Sequence, residues 1–136
     1  MIAVDSSVVV TAAVGERARR NDAKAALADQ PRLPSHAALE SYAVLTRLPP
    51  PLRMSAADAR SFIRSGCSGD PLHLSARALS ALLADLPALS VVGGSVYDAL
   101  IGRTAAVAGA HLLTLDRRAF RTYQLVGADV ELVGKC

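Results

Sequence analysis

The carboxylates are the residues of this chain whose positions most need explaining. There are twelve. Glu16, Asp22 and Asp29 lie among Arg17, Arg19, Arg20 and Lys24, which reads as a solvated helix face. Asp58 is spaced to partner a helix cap, Asp70 precedes Pro71 in a turn, Asp85 lies near a helix end, and Asp129 and Glu131 fall on or beside the last strand. Charged side chains of this kind belong at the surface. Asp5, Glu40, Asp98 and Asp116 sort less easily. Asp5 interrupts IAVDSSVV and Asp116 closes LLTLD. A lone carboxylate in an apolar run is costly to bury without a partner. Glu40 in HAALESYAVL and Asp98 in SVYDALIGRTAAVAGA sit in largely apolar helical stretches. Taken singly, each of those two has an ordinary reading, because helix N-termini favour negative charge.

Taken together, the four suggest chemistry. In a parallel α/β sheet the carboxyl ends of the strands line one edge, where ligands bind. Asp5 and Asp116 each end an apolar strand and are expected to point into one cleft. Four carboxylates meeting there would repel and raise one another's pKa values unless cations lay between them. Oxygen-only donors select hard cations, Mg²⁺ or Mn²⁺. The expected chemistry is metal-assisted phosphodiester hydrolysis. One ion activates a water, and a second about 3.5–4 Å away steadies the leaving oxygen. On this reading Asp5 is tolerated because a metal neutralises it.

Short strands alternating with helices must position these residues. The pattern predicts a strand over 2–4 and a helix beginning at Ser6 or Ser7, either of which is able to cap it. It predicts helices over 16–28, 36–48 (capped by Ser35, stopped by Pro49-Pro50-Pro51), 55–65 (Ser55 to Asp58 in capping-box spacing), 75–86 and 95–108 (ended by Gly109). A strand over 111–115, a short helix over 117–123 and a strand over 129–133 follow, with further short strands conceivable in 31–34 and 72–74. This alternation argues an α/β fold, a mostly parallel sheet with helices on both faces. The 136 residues suffice for one domain and carry no repeat or linker, so residues 1–136 are read as a single domain. The composition is 51% hydrophobic but 4% aromatic, without Trp, which suits aliphatic helices packed on a sheet. A formal charge of +3 is compatible with a polyanionic partner without identifying one. Cys67 and Cys136 have no metal-ligand spacing and form no disulfide framework, the usage of a reducing cytosol. No signal peptide or membrane span is expected.

The stretches IAVDSSVVV, HAALESYAVLTRLPPP and VYDALIGRTAAVAGAHLLTLDRRAF resemble the PIN-domain ribonucleases, and most closely the VapC toxins of bacterial toxin–antitoxin pairs. The resemblance spans essentially the whole chain. It rests on the order of the acids, the step from Asp98 to Asp116, and the T-x-D of Thr114-Leu115-Asp116. It implies an α/β/α sandwich with a parallel sheet of four or five strands, and an endoribonuclease dependent on Mg²⁺, with Mn²⁺ able to substitute. The family's acidic catalytic and metal-binding positions fall on Asp5, Glu40, Asp98 and Asp116. Ser6 and Thr114 fall where the family supports the carboxylates or metal waters. The resemblance further implies a tRNA or ribosomal RNA substrate, a homodimer, and a cognate antitoxin whose C-terminal segment fills the cleft, all in the cytoplasm and away from membranes. Many relatives carry another acid just past the T-x-D aspartate. Here Arg117, Arg118 and Ala119 follow, so at most four protein carboxylates are expected.

Arg117, Arg118 and Arg121 either hold RNA phosphates beside the acids or form a solvated basic helix. His36, one turn before Glu40, reads first as an exposed helix-start histidine. The five aromatics, Tyr42, Phe62, Tyr97, Phe120 and Tyr123, read as core or interface residues, with no visible platform for stacking RNA bases. Gly93-Gly94 lacks the signatures of a nucleotide-binding loop. Two other functions start from the same Asp5. A haloacid-dehalogenase-like phosphatase needs a second acid two residues on, where this chain has Ser7. A receiver-like signalling domain needs paired early acids and a late lysine, and only Lys135 is available. A PIN-like fold that binds without cutting is a further possibility, though all four acids are present.

Overall fold

The computed structural model describes residues 1–134; Lys135 and Cys136, on which part of the expectations rested, lie outside the described residues. The elements run β1 (Ile2–Val4), α1 (Ser6–Val14), α2 (Arg17–Ala28), α3 (Ser35–Arg47), α4 (Ala56–Gly66), α5 (Ala76–Asp85), α6 (Ser95–Val107), β2 (His111–Thr114), α7 (Arg117–Leu125) and β3 (Asp129–Leu132). The strands form one parallel sheet in the order β1-β2-β3, with Val4 opposite Leu113 and Thr114 opposite Leu132. Neighbouring residues of a strand face opposite sides of the sheet. Ala3 and Val4 are both fully buried, so helices cover both faces at β1, as an α/β layer arrangement requires.

The sheet has three strands among the described residues, where four or five were expected. The missing pairings survive as single parallel bridges, Ala3 with Arg32 and Pro34 with Leu72. Arg32 exchanges backbone hydrogen bonds with Ile2 and Val4, and Leu72 does so with Leu33 and Ser35. Pro31 and Pro34 flank this segment and have no N–H, so neither ladder extends beyond one bridge.

The main core joins Val8, Val9 and Ala12 of α1, Ala37 of α3, Ile101 and Ala105 of α6, and Ala119 and Tyr123 of α7 around β1 and Leu112. A smaller cluster, with Leu82, Leu86, Val91, Ala99 and Val126, ties α5 to α6. α6 and α7 cross closely at Gly102, where an added Cβ would stand 2.8 Å from Val126 and 3.0 Å from Tyr123. Absence of a side chain there lets Tyr123 press inward toward the end of β1. Cap chemistry also departs from expectation at two helices. Asp5 itself, not Ser6 or Ser7, caps α1, and α3 begins at Ser35 behind Pro34 without a side-chain cap. Ser55 and Ser75 cap α4 and α5, as their spacing predicts for the first.

Candidate active site

Asp5 ends β1 and is 1% exposed. Its Oδ1 accepts from the backbone N–H groups of Ser7 and Val8, at 3.0 and 3.4 Å, and from the Ser7 hydroxyl at 2.5 Å. Its Oδ2 accepts from the hydroxyls of Thr114 at 2.5 Å and Tyr123 at 2.7 Å. Burial pushes this carboxyl above its ordinary range, and the hydrogen bonds from Ser7, Thr114, Tyr123 and Val8 act in the opposite direction. The burial of Asp5 therefore has an explanation within the chain. Protein donors, not only a cation, make it tolerable.

The ends of β1 and β2 are stitched together by the same hydroxyls. Thr114, fully buried, accepts from the backbone N–H of Asp116 at 3.0 Å while donating to Asp5. Ser7 accepts from the N–H of Leu115 at 2.8 Å while donating to Asp5. The T-x-D spacing thus has a physical meaning: one hydroxyl holds the Asp5 side chain and the Asp116 backbone in register. Asp116 caps α7, its Oδ1 accepting from the N–H groups of Arg118 and Ala119 at 2.9 and 3.1 Å. Its Oδ2 lies 3.6 Å from the Arg118 guanidinium.

Glu40 and Asp98 approach from the other side. Glu40 accepts a short hydrogen bond from Ser6, the residue after Asp5. It sits in the second turn of α3, so an N-terminal dipole does not account for it, whereas Asp98 does lie in the first turn of α6. Glu40, Asp98 and Arg118 line one cavity of about 420 Å³ with His36, Gly94 and Tyr97. A neighbouring cavity of about 700 Å³ is lined by Asp116, Arg117 and Arg118 together with Arg19, Asp22 and Ser7. Arg118 borders both. The Asp98 carboxyl is raised above its usual range, first by burial; Arg118 opposes this, and Asp116, Glu40 and Asp5 add to it. Asp98 is thus within electrostatic reach of each of the other three acids. Arg121 is exposed on α7 and lines neither cavity.

Among the described residues, no three His, Cys, Asp or Glu side chains stand close enough together to hold a metal ion between them. The donor set nevertheless fits a hard divalent ion: Glu40, Asp98 and Asp116 offer only oxygen, and the repulsion that Glu40 and Asp116 exert on Asp98 is of the kind a cation relieves. Mg²⁺ retains several waters and accepts such an open arrangement. Asp5 is the least open of the four, with both oxygens engaged. That enclosure, and Ser7 at the general-acid position, disfavour the phosphatase reading, in which Asp5 would have to be a free nucleophile.

Sequence reasoning missed two supports of this site. Ser7 sits in the Asp-Ser-Ser run, where a cap residue's side chain meets the N–H and hydroxyl two residues on, a signal that was legible. The sequence places Tyr123 among core or interface residues. It is core, but its hydroxyl is raised in pKa, chiefly by burial and then by Asp5, and it acts as a donor to Asp5. His36 is not a freely solvated histidine either, since its ring stacks on Tyr97.

Acids carried to the end of a short parallel sheet by the first strand, a central helix and a T-x-D turn define a PIN domain. The PIN-domain family pattern matches residues 2–125, and the chain belongs to that family. Within it, the chain is 42% identical over 133 residues to Ribonuclease VapC40 of Mycobacterium tuberculosis strain H37Rv, covering 98% of this chain and 99% of the relative. It is 38% identical over 134 residues to Ribonuclease VapC27 of the same strain, covering 95% and 94%. No helix among the described residues is long and apolar enough to cross a membrane.

Proposed function

We propose that this protein is a metal-dependent endoribonuclease, the toxin of a toxin–antitoxin pair, hydrolysing RNA phosphodiester bonds at the acidic cleft. The observation that carries this is that Glu40 of α3 and Asp98 of α6 line one cavity, Asp116 lines the cavity that adjoins it at Arg118, and Asp98 feels the charges of Glu40, Asp116 and the buried Asp5. The ribonuclease names of full-length relatives support it.

Each residue has a separate task. Glu40, Asp98 and Asp116 hold Mg²⁺, for which Mn²⁺ substitutes, and Asp5 completes the set from beneath with its buried charge. Ser6 orients Glu40, and Thr114 orients Asp5 and Asp116. When bound, the ion supplies Lewis acidity toward a phosphodiester and lowers the pKa of a water. Arg117 and Arg118 bind RNA phosphates, contacts that place the strand without reading its sequence. Arg121, on the exposed side of α7, binds phosphates further along. The substrate is a tRNA or ribosomal RNA, and a cognate antitoxin silences the cleft in the cytoplasm. The toxin is a homodimer. Exposed Leu39 and Tyr42 on α3 and Leu79 and Leu83 on α5 are apolar surface that such an assembly would cover.

The test is cleavage of labelled structured RNA with Mg²⁺, repeated with EDTA and with Asp116→Asn. Cleavage is expected to disappear in both. Cutting that persists in both would refute the metal mechanism, and turnover of a small phosphomonoester in place of RNA would favour a phosphatase.

A further inference from the structure

Two rings stand beside the acids for no reason the core supplies. His36 and Tyr97 stack with centroids 5.1 Å apart and planes 10° from parallel, an offset-stacked pair. They sit on the helices that carry Glu40 and Asp98, and all four residues line the same cavity. Tyr97 is 56% exposed although one face of its ring is covered by His36. Exposure of that extent leaves the opposite face to solvent. Gly94, in the wall of the same cavity, has ordinary helical backbone angles, φ −61° and ψ −25°, and an added Cβ would meet nothing within 4 Å. The fold does not require glycine there, but its lack of bulk keeps the cavity wide beside the ring. Arg118 also lines the cavity and brings a positive charge to it.

A flat aromatic face, an adjacent gap and a guanidinium in the same cavity suit a nucleotide whose base is flipped onto the ring while its phosphate meets the arginine. We infer that the His36–Tyr97 pair is a stacking platform for one nucleobase of the RNA strand beside the scissile phosphate. This rests on the ribonuclease reading and adds a subsite to it. Every base has a π-face, so the platform contributes affinity and placement and little choice of sequence. It also requires an unpaired nucleotide at that position, since a base in a helix has both faces covered.

The experiment uses a short RNA that the protein cleaves, with aminopurine placed in turn at each nucleotide flanking the cut. Binding is followed by fluorescence in an Asp116→Asn background, which is expected to bind without cutting. One position should be quenched. Adding Tyr97→Ala should abolish the quench and weaken binding roughly 5- to 100-fold, the effect expected of one lost base–aromatic stack, whereas Tyr97→Phe should preserve both. In the cleaving protein, Tyr97→Ala should raise KM more than it lowers kcat. A second measurement avoids any change to the protein. An abasic nucleotide at the quenched position should weaken the Asp116→Asn protein by the same factor and leave the Tyr97→Ala form indifferent. If the protein cleaves RNA with Mg²⁺ but Tyr97→Ala binds and cuts as its parent does, the ribonuclease reading stands and the platform is refuted. An unaltered affinity for the abasic RNA refutes it equally. If the protein neither binds nor cuts RNA, both readings fall together.

Discussion

The hydrogen bond from Tyr123 to Asp5 is the contact most open to a quantitative test. Replacing Tyr123 by Phe keeps the ring in its core position and removes only the hydroxyl. The hydroxyl stands 2.7 Å from Asp5 Oδ2, and both residues are at most 2% exposed. A hydrogen bond to a charged group contributes about 1.5–3 kcal/mol. Oδ2 keeps its bond from Thr114 when Tyr123 is cut back, so the lower part of that range applies, about 1.5–2 kcal/mol. Urea unfolding in metal-free buffer should report this as a lower midpoint at unchanged slope, because the surface exposed on unfolding is the same. The double-mutant cycle with Asp5→Asn carries the argument further. If the hydroxyl acts on the carboxylate, Tyr123→Phe should cost much less once Asp5 is Asn, with a coupling of about 1 kcal/mol. A cost below about 0.5 kcal/mol, or a cycle that closes without coupling, would refute the claim that chain donors make the burial of Asp5 tolerable.

Two further outcomes follow from charged groups. His111 meets Asp129 at 2.8 Å through Nδ1 and Glu131 at 2.9 Å through Nε2, and only the imidazolium donates through both nitrogens. Its pKa is raised, first by the Glu131 hydrogen bond and then by that of Asp129. The folded state therefore holds this proton more tightly than the unfolded chain does. The stabilisation is complete below the unfolded value of 6.5 and is lost as pH rises through the folded value. Unfolding at a series of pH values should show that decline, no more than about 1 kcal/mol for so exposed a pair, and His111→Gln should flatten it; an identical slope in the variant would contradict it. Arg118, 3.6 Å from Asp116 and largely exposed, competes for the charge that a divalent ion would use. Arg118→Ala should tighten Mn²⁺ binding in calorimetry without RNA by roughly 1.5- to 5-fold, the yield of an exposed ion pair. It should also weaken RNA binding and lower its salt slope by about one. Weaker Mn²⁺ binding in that variant would overturn the assignment.

The legible part of this site was the part written in local pattern. Asp5 and Asp116 end apolar strands, and apolar strands are visible in a sequence. Asp98 opens a helix whose apolar face and terminal Gly109 mark its limits. Glu40 was found by elimination, and its support, the contact with Ser6, joins residues distant in sequence. What escaped is of that second kind. Tyr123 shows inward helical spacing, which says that it is buried but not that its hydroxyl ends at Asp5. The closeness of α6 and α7 that puts it there depends on Gly102, whose missing side chain makes room for Tyr123 and Val126. The stacking of His36 on Tyr97 depends on two helices meeting at their N-terminal turns, a relation no single segment carries. The strand count erred for a local reason, the prolines at 31 and 34.

The four acids show two solutions to one electrostatic problem. Asp5 is enclosed and satisfied by donors from its own helix, from β2 and from α7, which offset part of the cost of burying it. Glu40, Asp98 and Asp116 are left partly open, with Arg118 as the nearby cation and with Asp98 raised first by burial and then by the other acids. A site built wholly in the first way would be stable and closed to a cation. One built wholly in the second would repel itself apart without metal. The division sets one enclosed, hydrogen-bonded acid beside three open ones. It accounts for acids that share a cleft without forming a closed cage, because the looser three must remain able to admit an ion and the phosphate that comes with it.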